Sequence, residues 1–151
     1  MGQGQGIGEE ATGDGERMSG WTQERKNEWQ REHRRRTGNI DTKRYERSKK
    51  GKLMRIYRNM ESRIKGVQRQ KYHLYAGKEL LGREQFYEWA LSSPEFHRLF
   101  DAWEASSYQR ILAPSIDRID SSKGYTLDNM EWVTHSENSR RGAINRVRMY
   151  Q

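Results

Sequence analysis

The spacing of the large apolar side chains limits this chain to a small fold in which helices precede a short β-hairpin. Between residues 53 and 103 these side chains recur at helical intervals, and after residue 110 their spacing becomes that of short strands. Only 32% of the 151 residues are hydrophobic and 33% are charged, so the chain can form one modest domain with polar extensions. The expected fold class is therefore α+β.

Three helices are expected in the middle of the chain. The first carries the i, i+3, i+4, i+7, i+11 stripe of Leu53, Ile56, Tyr57, Met60 and Ile64, and Gly66 should end it. The second, residues 83–91, places Phe86, Trp89 and Ala90 on one face. Ser93 and Pro94 should open the third, whose apolar face comprises Phe96, Leu99, Phe100 and Trp103. Residues 72–81, with a turn at Gly77, are expected to form a short extended or hairpin-like connector.

The last forty residues have the order strand, loop, strand, helix. Ile111, Leu112, Ile116 and Ile119 suggest a strand that Pro114 confines to a sheet edge or a bulge. Residues 121–124 form a loop, and residues 130–134, with Trp132 and Val133, suit a second strand. Thr134 followed by Glu137 is a capping box, so a helix should begin there and run to about Gly142 or beyond.

The sequence SIDRIDSSKGYTLDNMEWVTHSEN, residues 115–138, resembles the ββα-metal core of HNH endonucleases. It is most similar to the phage-type branch that carries DRID and GYT-x-DN. The preceding helices and tyrosine-rich connector resemble the same plan more loosely. The resemblance implies N-terminal helices followed by a C-terminal ββα-metal core and a metal-dependent DNA endonuclease, such as a free-standing phage homing enzyme.

The resemblance assigns roles to four residues of the hairpin and its helix. Asp117 and the side-chain oxygen of Asn138 would be sparse oxygen ligands for a hard divalent cation, Mg²⁺ or another such as Mn²⁺. Asn129 would hydrogen-bond the loop backbone. Arg118 stands where most HNH enzymes have the histidine that deprotonates the attacking water; because arginine stays protonated, we expect it to clamp the phosphate instead.

This replacement leaves the general base open. His135, at the start of the last helix, is the nearest histidine in sequence and is included among the candidate catalytic residues. The alternatives, which could approach only through the fold, are His73, His97, Tyr72 and Tyr108.

Positive charge is concentrated in the N-terminal half. Residues 21–50 carry eleven basic against five acidic side chains, and residues 51–75 carry seven against one. Such a distribution favours binding to a phosphate backbone. The candidate DNA-binding residues are Arg34, Arg35, Arg36, Lys49, Lys50, Arg55, Arg58, Arg63, Lys65, Arg140 and Arg141.

These features divide the chain into four expected segments. Residues 1–20 form a disordered tail, 21–50 a basic helical or partly disordered arm, 51–106 a helical support and DNA-binding region, and 107–151 the nuclease core. The expected partner is double-stranded DNA, bound by a monomer or homodimer, with no membrane association. The absence of cysteine fits a reducing compartment, and the resemblance implies the cytoplasm of a phage-infected bacterium.

Two other functions fit the same residues. A nuclease-derived fold that has lost the histidine could be a catalytically weak or inactive DNA-binding protein. A structural or regulatory phage protein could use the basic segment to contact RNA or protein, and its binding would not depend on Asp117 or Asn138.

Overall fold

The computed structural model describes residues 18–149, and the fold is α+β, mostly helical, with one two-stranded antiparallel sheet near the C-terminus. The chain divides into two compact units, the first ending at Thr42 and the second beginning at Lys43. Most of the tail predicted to be disordered, residues 1–17, lies outside the described residues. No helix within residues 18–149 has the length and apolar character needed to cross a membrane.

The first unit is built around helix α1, Gln23–Thr37. The Thr22 side chain caps it by accepting a hydrogen bond from the Arg25 amide, and Gly38 ends it in the left-handed conformation. Trp29 stacks on His33, with ring centroids 4.8 Å apart. Residues 38 and 39 separate this helix from helix α2, Ile40–Glu46, which crosses the boundary between the units.

The second unit begins with helix α3, Lys49–Lys65, followed by α4, Arg83–Leu91, and α5, Pro94–Ala105. The predicted apolar faces of all three helices lie in the core. Gly66 ends α3 as predicted, with φ 79°. Pro94 opens α5 as predicted, although the Ser93 side chain makes no capping hydrogen bond.

Strand β1, Pro114–Arg118, pairs antiparallel with β2, Met130–Thr134, and helix α6, His135–Met149, follows directly. The prediction of Ile111, Leu112 and Ile119 as strand residues was wrong: Ile111 and Leu112 lie in a 3₁₀ turn, Arg110–Leu112, and the exposed Ile119 follows the end of β1. Pro114 is the first strand residue, where the missing amide proton costs no interior ladder bond.

The helices and the hairpin share one core. Trp132 of β2 lies among the helical aromatic residues, with its ring centroid 4.8 Å from that of Phe96 and 5.5 Å from that of Trp89. Phe86 and Phe96 are fully buried in the same cluster. The segments predicted as residues 51–106 and 107–151 therefore belong to one compact unit, because both contribute side chains to the same core.

The connector between α3 and α4 differs from the predicted extended or hairpin-like segment. It begins with a 3₁₀-helix, Arg69–Leu74, and only its end is extended, where Leu80 forms a parallel bridge with Tyr125. The Tyr125 amide donates to the Glu79 carbonyl at 2.8 Å. Gly124 is required at this crossing, because a Cβ there would lie 2.1 Å from the Glu79 carbonyl oxygen.

Candidate functional site

The two faces of the hairpin have different neighbours. Strand pairing places Ile116 opposite Trp132 on the face that packs against the core helices. Asp117 lies opposite Glu131 on the other face, which helix α6 crosses. Successive strand residues point to opposite sides of a sheet, so the chain neighbours Asp117 and Arg118 face different surroundings.

Asn138 fastens α6 to β1. Its side-chain Nδ2 donates to the Ser115 hydroxyl at 2.8 Å and to the Ile116 carbonyl at 3.2 Å. Since a carbonyl only accepts hydrogen bonds, the Ile116 contact fixes which end of the amide is nitrogen. The amide oxygen is therefore left as an acceptor on a side chain whose Nδ2 binds the residue before Asp117.

Arg141, one helical turn beyond Glu137, joins three carboxylates on this face. Its Nη1 lies 3.0 Å from Asp117 Oδ2 and 2.8 Å from Glu131 Oε2, and its Nε lies 2.9 Å from Glu137 Oε1. Hydrogen bonds to Glu131, then Asp117 and Glu137, raise the pKa of Arg141. Hydrogen bonds from Arg140 and then Arg141 lower the pKa of Glu137 to about 2. These charges meet in one network.

The network borders an open groove of about 500 Å³ between the hairpin and α6. Asp117, Arg118 and Glu131 are among the hairpin residues that line one side, and Arg141 and Arg148 are among the residues of α6 that line the other. Positions 141, 144, 145 and 148 line the groove and follow helical spacing, so one stripe of α6 faces it. The groove therefore places carboxylates and guanidinium groups on opposing walls.

Arg118 also lines this groove, but its guanidinium is bound to backbone carbonyls of the fold. Its Nη1 donates to the carbonyls of Ser121 at 3.0 Å, Lys123 at 3.1 Å and Leu74 at 3.4 Å. Its guanidinium carbon lies 4.3 Å from the centroid of the Tyr75 ring, a cation–π contact. These contacts brace the loop after β1 against the connector, and they do not support the prediction that Arg118 clamps a phosphate beside Asp117.

Asn129 makes the hydrogen bonds predicted for it. Its Oδ1 accepts from the Asp120 amide at 2.8 Å, while its Nδ2 donates to the carbonyls of Asp120 at 3.0 Å and Gly124 at 2.8 Å. Only 5% of its surface is exposed, and it is the buried polar residue of the described chain. Its contacts hold the loop closed, which is a positioning role for the strand ends.

His135 lies at the wrong end of the hairpin to act beside Asp117. Its amide donates to the Ala113 carbonyl at 2.8 Å, and it directly follows Thr134, which pairs with Pro114. Asp117 is three strand positions away from that pair, about 10 Å along the backbone. The geometry therefore gives no support to His135 as the base.

The other base candidates are dispersed. His97 Nδ1 accepts from Lys49 Nζ at 2.7 Å and its Nε2 donates to the Leu91 carbonyl at 2.7 Å, which ties His97 to the helices. Tyr108 packs edge-on against Trp103, 4.9 Å between centroids. Tyr72 and His73 are exposed in the connector, and the carbonyl that follows them, that of Leu74, is the one bound by Arg118. No candidate contacts Asp117 in the described part of the chain.

The predicted DNA-binding residues fall into three groups. Arg34, Arg35 and Arg36 are exposed on α1, in the first unit. On α3, Lys50 and Arg58 are exposed with no acidic partner at salt-bridge distance within residues 18–149, whereas acidic side chains of the same unit pair with Lys49, Arg55 and Lys65. On α6, Arg140 and Arg141 are both paired with Glu137.

Arg63, one of the predicted DNA-binding residues, has its charged end turned towards the fold. It lies three residues after Met60, so the helix turns it towards the core stripe. Its Nη1 donates to the Tyr125 hydroxyl at 3.1 Å. Burial, the largest of several effects, raises the pKa of Tyr125. Arg63 therefore joins Arg118 in bracing the connector.

The residues present fit a sparse oxygen site for a divalent cation. Asp117 offers a carboxylate and Asn138 offers an amide oxygen whose orientation is fixed through Nδ2. Within residues 18–149, no three His, Cys, Asp or Glu side chains converge as a metal-binding group. The expected pair, one carboxylate and one amide, does not require such a group.

Sequence reasoning missed the link between Arg141 and Asp117. Arg141 was expected to contact DNA, and Glu131 was given no role. The i, i+4 spacing of Glu137 and Arg141 was visible in the sequence, and the hairpin register was needed to place Glu131 opposite Asp117.

Comparisons with protein-family models, curated proteins and solved structures found no match for this chain.

Proposed function

We propose that this protein is a metal-dependent DNA endonuclease of the HNH type, in which residues 114–149 form the ββα-metal core. The observation that carries the proposal is the joint position of Asp117 and Asn138. One belongs to β1 and the other to α6, and Asn138 is bonded to the backbone of the residue that precedes Asp117. The resemblance of residues 115–138 to HNH enzymes supplies the activity.

The side chains of the proposed site would have separate roles. Asp117 and the Asn138 amide oxygen would hold the cation, and the Asn129 hydrogen bonds would keep β1 and the loop in register. When bound, the cation supplies charge stabilisation at the scissile phosphate and its leaving oxygen. The guanidinium groups of Arg141 and Arg148 on the groove wall would bind phosphate oxygens.

Basic residues outside the groove support duplex DNA as the substrate. Lys50 and Arg58 present unpaired charge on α3, and α1 carries Arg34, Arg35 and Arg36. Exposed basic residues such as these can neutralise phosphates and release counterions. Mg²⁺, or another divalent cation such as Mn²⁺, is the proposed cofactor.

Cleavage of supercoiled plasmid by the full chain tests the proposal. Mg²⁺ or Mn²⁺ should convert the plasmid to nicked or linear product, and EDTA should stop the reaction. Nicking alone would indicate a monomer that cuts one strand, and linear product at early times would indicate a dimer. DNA binding without cleavage under any divalent cation would instead support the inactive, DNA-binding alternative.

A further inference from the structure

Arg141 occupies one side of the carboxylate that the proposed metal site requires. Its Nη1 is 3.0 Å from Asp117 Oδ2 and 2.8 Å from Glu131 Oε2, so a single N–H₂ group serves both acids. The two acids are direct cross-strand partners on the same face of the hairpin. Like charges in such a pair repel, and the guanidinium between them offsets that repulsion.

A guanidinium and a divalent cation compete for the same carboxylate. Arginine remains charged at any working pH, so it cannot relieve the competition by losing its proton. A cation bound at Asp117 would therefore require Arg141 Nη1 to move away from Asp117 Oδ2. Asp117 is partly shielded from water, its side chain 24% exposed, so screening of the repulsion is incomplete.

The remaining contacts of Arg141 allow that movement without loss of its anchorage. Glu137, on the same helix, holds Nε at 2.9 Å, and Glu131 is 47% exposed and able to follow the side chain. The Arg141 side chain is itself 34% exposed and borders the groove. Rotation about the outer side-chain bonds of Arg141 would move its guanidinium away from the Asp117 carboxylate and into the groove, where Arg148 also lies.

We propose that Arg141 is a resident counter-cation of the candidate metal site, which neutralises Asp117 in the metal-free protein and is displaced from it when a divalent cation binds. The inference rests on the proposed function, because it takes Asp117 as the ligand. Competition from Arg141 for Asp117 makes metal binding weak in the absence of DNA. The same competition couples metal binding to phosphate binding, because a phosphate in the groove offers the displaced guanidinium a new partner.

The test measures metal binding without DNA or cleavage. Mn²⁺ is titrated into the full chain, and free Mn²⁺ is followed by electron paramagnetic resonance. Arg141→Gln should bind Mn²⁺ more tightly than wild type, on the order of tenfold, the scale of one charge-assisted hydrogen bond that no longer competes. Arg141→Lys should lie between the two.

Arg140 provides the matched control. It neighbours Arg141 and also pairs with Glu137, but it makes no contact with Asp117 or Glu131. Arg140→Gln should leave Mn²⁺ affinity within about twofold of wild type, because long-range charge effects at an exposed site are screened. Equal tightening in both variants would show a general charge effect and would overturn the inference.

A measurement on the wild-type protein does not depend on the folding of any variant. The side-chain Nε–H resonance of Arg141 in a nitrogen–proton correlation spectrum should shift as Mg²⁺ is added, while that of Arg140 should stay in place. An unmoved Arg141 resonance at saturating metal would contradict displacement.

Asp117→Asn separates this inference from the proposed function. If Asp117→Asn loses Mn²⁺ binding while Arg141→Gln binds as weakly as wild type, the metal site stands and the counter-cation role of Arg141 is wrong. If Asp117→Asn binds Mn²⁺ as wild type does, the metal site itself is wrong, and the inference falls with it.

Discussion

Asp117 and Arg118 are neighbours in the chain and both line the groove, but their charged groups bind different partners. The Asp117 carboxylate meets Arg141 of the last helix at 3.0 Å, whereas the Arg118 guanidinium lies 4.3 Å from the Tyr75 ring. The alternation of side chains along a strand produces this separation. The acid and the arginine of the DRID motif therefore contact different parts of the fold, the last helix and the connector.

Arg118→Ala should lower the free energy of unfolding by about 1–3 kcal/mol, because the loop carbonyls of Ser121 and Lys123 would lose a charged donor. Urea denaturation measures the effect. Arg98→Ala is the control: Arg98 makes an exposed pair with Glu95, and its loss should change stability by less than about 0.5 kcal/mol. Unchanged stability of Arg118→Ala, together with a large loss of cleavage, would restore the phosphate clamp.

Gly124→Ala should destabilise the second unit by about 1–3 kcal/mol or more, because the new methyl group would meet the Glu79 backbone at 2.1 Å. Gly142 on helix α6 is the matched control, since a Cβ there meets nothing within 4 Å. Gly142→Ala should stabilise the helix by about 0.5–1 kcal/mol. Thermal unfolding of both variants compares the two effects, and a Gly124→Ala protein as stable as wild type would refute the close crossing.

Glu137 should make the free energy of unfolding depend on pH in the acidic range. Its folded pKa of about 2 lies below the usual value of 4.5 because Arg140 and Arg141 donate to it. A lowered folded pKa contributes stability that is present above about pH 4.5 and is lost as the pH falls towards 2. The stability difference between wild type and Glu137→Gln, from urea denaturation at several pH values, should be constant near neutrality and shrink below about pH 4.5. A difference that does not change with pH would contradict the ion pairing.

Much of this fold could be predicted because its helices follow local rules. The stripe from Leu53 to Met60 and the breaks at Gly38 and Gly66 depend on periodicity and backbone preference, which the sequence displays directly. The limits of β1 depend on pairing with β2, so the apolar Ile111 and Ile119 misled the prediction. The pattern around each residue carries no information about a partner far along the chain.

Within the candidate site, contacts between residues close in sequence could be predicted, and contacts between distant segments could not. The loop bonds of Asn129 are local and were expected. The contact of Arg118 with the Leu74 carbonyl and the inward turn of Arg63 join segments more than forty residues apart. The bridge from Arg141 to Asp117 likewise needed the packing of α6 on the hairpin, which only the folded chain defines.

The arginines of α1 should set part of the salt dependence of DNA binding. Replacing Arg34, Arg35 and Arg36 together by Gln removes three exposed charges. The slope of log affinity against log salt should fall by up to about 0.9 for each lost phosphate contact. Fluorescence anisotropy with a labelled duplex at several salt concentrations measures that slope. A triple variant with the wild-type slope would place the DNA contacts elsewhere.

Plasmid cleavage by two matched carboxylate variants tests the central claim most directly. Asp117→Asn removes the charge of the proposed metal ligand, whereas Asp128→Asn removes a charge from an exposed residue of the same hairpin loop that bonds only Thr126 locally. With Mg²⁺ and equal DNA affinity, Asp117→Asn should lose cleavage by a factor on the order of 10² or more, and Asp128→Asn should cut as wild type does. An Asp117→Asn protein that cuts plasmid at the wild-type rate would contradict the assignment of this site.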